Sequence, residues 1–188
     1  MNPIEELRAE HRGIESALDI LETIAELLVM GEDSAVVRDA EALIGFFRTF
    51  VDTCHHGKEE SGLFPALEQA GVPREDGFIS GLLSEHQQGR DYLREMARAL
   101  KEYQAGKPQA AERFSQHSDA YIDLLHQHIE KEDRDLFPVA DERLPAEVIR
   151  QLEETFEKIE SEVVGQGKHE QYHSMLDSFM EKYGLEAD

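Results

Sequence analysis

The chain has 188 residues, 40% of them hydrophobic and 32% charged, with a formal net charge of −22. That length suffices for one domain with a buried core, and so acidic a surface argues against nucleic acid and anionic membrane as partners. No apolar run approaches the roughly 18 residues of a membrane span, MNPIEELRAEHRG shows no basic-then-apolar secretory pattern, and the single cysteine, Cys54, has no partner for an internal disulfide, so a cytoplasmic protein is expected.

The pattern is helical throughout. Ile4, Leu7, His11, Ile14, Leu18, Leu21 and Ala25 recur at spacings of three and four, one buried stripe of a first helix. Asn2 is placed to cap it, Pro3 suits its first turn, and Gly31 ends it after Met30. A second helix starts around Asp33-Ser34, carries Ala40, Ile44, Phe47, Val51 and His55, and runs to about Leu67 with a weak point at Pro65. A loop follows from Gly71 to Gly77. The third helix runs from about Phe78 to Ala105, and the fourth from about 109 to 138 with Phe114, His117, Tyr121, Leu124, Leu125 and His128 on one side. Short links between long amphipathic helices predict an all-α, up-down-up-down four-helix bundle over residues 1–141. Residues 142–188 read as a helical extension, with Val148, Ile149, Leu152, Phe156, Ile159 and Val163, a break at Gly165 and Gly167, and a last helix holding Leu176 and Phe179. It is expected to pack on the bundle, with covering a site or supplying a homodimer surface as the alternatives.

Two stretches repeat, HHGKEESGLFP at 55–65 and HIEKEDRDLFP at 128–138. Each places a glutamate four residues after a histidine and then Leu-Phe-Pro. His11 precedes His86 by 75 residues and His55 precedes His128 by 73, so two hairpins related by an approximate two-fold are expected. His11 lies 19 residues before Met30, and His55 lies 20 after Ala35. At about 1.5 Å per residue, the two come back to one level, and His86 and His128 do the same. At about 100° per residue, His55, Glu59, His128 and Glu132 face inward. His56 and Glu60 fall outward or sideways, so His56 is expected to be structural or exposed, as are His117 and His126.

Two buried glutamates among four histidines would be expensive without a compensating cation. His11, His55, Glu59, His86, His128 and Glu132 are therefore the expected metal ligands. Six ligands exceed the four of a closed zinc site. Imidazole and carboxylate without thiolate suit iron, manganese or zinc. With bridging carboxylates and a bridging oxide or hydroxide, two octahedral ions would keep about two positions open.

The order His11, His55-x-x-x-Glu59, His86, His128-x-x-x-Glu132 resembles the hemerythrin-like, or HHE cation-binding, domains of bacteria over residues 3 to 141. The resemblance implies a four-helix bundle around an oxo- or hydroxo-bridged non-haem di-iron centre, with the four histidines as terminal ligands and Glu59 and Glu132 as bridges. The chain departs from the oxygen-carrying hemerythrins in two ways. Arg90 stands where those have a second histidine one turn after the one matching His86, and Glu132 stands four residues after its histidine where they have an aspartate five after. An open position or a substitute ligand is implied, with Tyr121, His169 and His173 as candidates. Arg90 is expected to pair with Glu15.

Two functional classes remain open. One is chemistry at the metal pair, binding or reducing dioxygen, nitric oxide or peroxide. The other is a sensing or binding module without turnover, whose metal or oxygen occupancy is read by a partner through the C-terminal helices.

Overall fold

The computed structural model describes residues 2–31, 34–74, 77–165 and 167–185. Asp33 and the side chain of Val163, both used above, lie outside the described residues. Helix α1 (Pro3–Met30) starts as its sequence dictates: the Asn2 side chain accepts the Ile4 N–H at 2.9 Å, and Pro3 sits where no N–H is required. Gly31, at φ 87°, closes the helix by donating to the Leu27 and Leu28 carbonyls.

Helix α2 covers 34–69 and changes winding along its length. It is α-helical over Ser34–Phe46, π-wound over Phe47–His55, α-helical for one turn at His56–Lys58, π-wound again over Glu59–Leu63, and α-helical over Phe64–Gln69. Helix α3 is Phe78–Gln104. Helix α4 covers 110–143, with Ala110–Lys131 followed by a π-wound Glu132–Leu136 and then Phe137–Arg143. Pro65 and Pro138 each enter the first turn after a wide turn. Proline lacks an N–H and crowds the preceding turn. Both helices therefore widen through the Leu-Phe-Pro repeat instead of ending there. Along this cycle each helix packs on the next, and α4 returns to α1. This is the expected up-down-up-down bundle, and no strand occurs among the described residues. No helix among them is long and apolar enough to cross a membrane.

The apolar interior is divided in two. A large cluster, including Ile14, Leu18, Leu21, Phe47, Val51, Leu93, Met96, Phe114 and Leu125, fills most of the bundle. A smaller one, built from Ile4, Leu7, Leu63, Phe64, Leu67, Leu82, Leu136 and Phe137, plugs one end. His11, His55, His86 and His128 form a polar layer between the two, since each helix passes through it on its way from one cluster to the other.

Helix α5 (Ala146–Lys158) puts Leu152 and Phe156 into the end plug and runs into a π-wound strap, Ile159–Gly165. It seats against the second wide turn of α2, where a Cβ on Gly62 would lie 3.0 Å from Phe156 Cε1. The strap lies along Phe47–His55 of α2. Helix α6 (Lys168–Tyr183) returns Leu176 and Phe179 to the large cluster.

Candidate metal centre

The structure brings all six expected residues together in the buried layer. His11 and His55 face each other with their Nε2 atoms 3.2 Å apart, and His86 and His128 do the same at 3.2 Å. Each glutamate spans the two pairs. Glu59 directs Oε1 to His55 Nε2 at 3.7 Å and Oε2 to His86 Nε2 at 3.4 Å. Glu132 directs Oε1 to His128 Nε2 at 3.4 Å and Oε2 to His11 Nε2 at 3.3 Å. These separations lie within ion-pair reach but lack hydrogen-bond geometry. All four carboxylate oxygens are buried without a hydrogen-bond partner.

The outer face of each imidazole is held by a second carboxylate. His11 Nδ1 lies 3.2 Å from Asp133, His55 Nδ1 2.8 Å from Glu10, His86 Nδ1 2.8 Å from Glu60, and His128 Nδ1 2.9 Å from Glu85. Burial alone would raise these four carboxyls, but the histidine each faces and the nearby cations hold all four below the ordinary carboxylate value. An ionised carboxylate only accepts, so Nδ1 is the donor and Nε2 turns its lone pair inward. Two lone pairs 3.2 Å apart repel unless a cation lies between them. Protons meet that need when no metal is bound. Burial would lower His11, but Asp133 and Glu132 push it up to about 10; burial would lower His86, but Glu59 and Glu60 push it up to about 9. Glu59 is held down by His55, His86 and His128 against its burial.

These outer carboxylates were missed by sequence reasoning, although each adjoins a predicted ligand in the chain. Glu10 and Glu85 directly precede His11 and His86; Glu60 and Asp133 directly follow Glu59 and Glu132. The same two-fold that relates the ligands relates this outer ring. It also places Phe137 on His11, with centroids 5.3 Å apart, and Phe64 on His86 at 5.8 Å, which gives the repeated Leu-Phe-Pro its packing role.

Three expectations need correction. His56 is 3% exposed, stacks on His86 at 3.8 Å, and joins Glu59, His86 and His128 in a group whose ligating atoms lie within 4.8 Å of one another. The π-wound Phe47–His55 is the reason. An i→i+5 turn advances each residue by a smaller angle than an α turn, so two adjacent histidines both reach inward. Burial, then His86 and His128, lower the pKa of His56, so it is neutral. Its counterpart under the two-fold is Ile129, so the second group, His11, His55, Glu59 and Glu132, holds two imidazoles. Arg90 binds Asp52 at 2.6 Å and Glu60 at 2.7 Å, while Glu15 is exposed. It turns toward α2, the neighbour of α3, because α1 lies diagonally across the bundle. His169 and His173 stand apart from both groups. His169 lies beside Glu10 and Glu160, and His173 beside Phe50. Tyr121 packs on Phe47 at 5.1 Å with its hydroxyl buried and without a hydrogen-bond partner.

Proteins of Mycobacterium tuberculosis (two strains) and Mycobacterium bovis, each named only as an uncharacterized protein, are 31% identical to this chain over 163 residues, covering 86% of it. The chain spans 62% of the length of these curated relatives. Residues 2–140, the span that carries the histidine pairs, Glu59 and Glu132, match the hemerythrin HHE cation binding domain. The chain therefore belongs to the hemerythrin HHE cation-binding domain family.

Proposed function

We propose that the chain is a non-haem dinuclear metal protein with two iron ions, and with manganese or zinc as alternative occupants, that binds or reduces dioxygen, nitric oxide or peroxide. The observation that carries this reading is the set of four inward Nε2 lone pairs around two carboxylates whose oxygens have no hydrogen bond. One ion would be held by His56, His86 and His128, the other by His11 and His55, with Glu59 and Glu132 shared. If ferrous, such a pair would supply electrons as well as open coordination positions to a small ligand; a zinc pair, which has no redox chemistry, would supply the positions alone. Those positions would belong to the ion with two imidazoles. Asp133, Glu10, Glu60 and Glu85 fix the tautomer and orientation of their histidines. The plug of Leu63, Phe64, Leu136 and Phe137 excludes water from the end of the layer.

The test is anaerobic loading with ferrous iron followed by addition of dioxygen, nitric oxide or peroxide. The reading expects two ions per chain and a change in the optical spectrum with at least one of these. Turnover identifies an enzyme, and binding without consumption identifies a carrier or sensor. A chain that takes up no iron, or that holds two ions inert to all three, overturns it.

A further inference from the structure

The two-fold is broken at one more position. Lys58 and Lys131 are related by the repeat, and each pairs with the carboxylate that holds a histidine: Lys58 with Glu10, Lys131 with Glu85. Lys131 is 37% exposed and Lys58 is 0% exposed. The strap causes the difference. Lys58 Nζ lies 2.6 Å from each of Glu6, Glu10 and Glu160, and Glu160 is supplied by Ile159–Gly165. The second oxygen of Glu10 lies 2.8 Å from His55 Nδ1. Glu160, Lys58, Glu10 and His55 thus form an unbroken line of charge-assisted hydrogen bonds from the C-terminal extension to one imidazole of the centre.

We infer that Glu160 is a positioning residue for the metal held by His11 and His55, and that docking of the strap and occupancy of that position stabilise each other. This rests on the dinuclear reading above. With the strap seated, Lys58 is fixed among three carboxylates and Glu10 is fixed on His55. With the strap lifted, Lys58 and Glu10 meet water, and His55 loses the partner that sets its orientation. Coupling of this kind is reciprocal: an ion that fixes His55 also fixes Glu10, Lys58 and the strap. On the other half of the layer Glu85 and Lys131 already reach solvent, so the ion at His86 and His128 has no such dependence.

Cys54 reports the strap directly. It precedes His55, is 1% exposed, and lines a cavity of about 220 Å³ together with Glu157, Glu160, Ser161 and His169. The strap buries its thiol, so modification requires the strap to lift. The experiment measures alkylation of Cys54 by iodoacetamide, read by mass spectrometry, and release of iron to a chelator, on the full chain with and without ferrous iron. In the wild-type chain iron should slow alkylation about ten-fold. In Glu160→Gln that dependence should vanish. One of the two ions should leave about ten-fold faster while the other keeps its wild-type rate, the size typical when an outer partner of a metal ligand is lost. Glu157→Gln, which lines the same cavity without touching Lys58, should behave as wild type. Two ions released from Glu160→Gln at wild-type rates overturn this inference alone. So does equal acceleration of both, which would mark a merely structural residue. A wild-type chain that binds no iron overturns it together with the dinuclear reading.

Discussion

Replacing Lys58 by methionine separates a buried charge cluster from its exposed twin. Lys58 is enclosed by Glu6, Glu10 and Glu160, and the field of these carboxylates outweighs burial to raise its pKa. Removing one member of a buried ion cluster costs about 3–5 kcal/mol, because the partners keep their desolvation without their attraction. Glu6 and Glu160 are 22% and 39% exposed and can turn to water, which leaves Glu10 as the trapped charge. Glu10 keeps its bond from His55, so the cost should sit at the lower end, about 3 kcal/mol. For a chain of this length each kcal/mol moves the midpoint by about 2–4 °C, so a fall of about 6–12 °C is expected. Lys131→Met removes the related lysine from a pair that reaches solvent and should cost less than about 1 kcal/mol. Thermal unfolding of both variants, followed by circular dichroism in chelator at pH 7, measures the contrast. Equal shifts for the two would refute the claim that the strap makes Lys58 a buried charge.

Further outcomes follow from the same geometry. His56→Phe keeps the ring stacked on His86 but removes its nitrogen, so affinity for one of two ions should fall about ten-fold or more, read by metal titration; unchanged binding of both would return His56 to a packing role. His11 and His86 are raised above their ordinary 6.5, to about 10 and about 9. The metal-free chain should hold this stability below pH 6.5 and lose it as pH rises through 9 to 10, while metal affinity rises over the same range because the protons leave. Urea midpoints and metal titrations across that window check both signs. Gly62→Ala places a methyl 3.0 Å from Phe156 and 3.3 Å from Leu152; overpacking of this kind costs about 1–3 kcal/mol, and an unchanged urea midpoint would contradict the docking of α5 on α2.

The bundle was legible because its information is periodic. Ile4, Leu7, Ile14 and Leu18 repeat at helical spacing, and Asn2 and Gly31 mark ends by chemistry that needs no tertiary context. The level of the four histidines followed from counting residues along antiparallel helices. The orientation of His56 did not, because one fixed angle per residue was carried through Phe47–His55, which winds more widely. Pro65 and Pro138 were visible signs that the winding would change, but they do not say where the extra residue goes. The pairing of Arg90 failed for a different reason: angle about a helix axis does not specify which neighbouring helix a long side chain will reach. The outer ring of Glu10, Glu60, Glu85 and Asp133 was hidden among many acidic residues. Its adjacency to the ligands and its two-fold repeat were the available signals.

The central claim is that two ions lie in the polar layer, one beside His56, His86 and His128 and one beside His11 and His55, shared by Glu59 and Glu132. Anomalous diffraction at the iron edge from iron-loaded crystals measures this directly. The account predicts two peaks in that layer about 3.5–4 Å apart, each within bonding distance of a Glu59 or Glu132 oxygen. A single peak, or iron located away from these carboxylates, would contradict it.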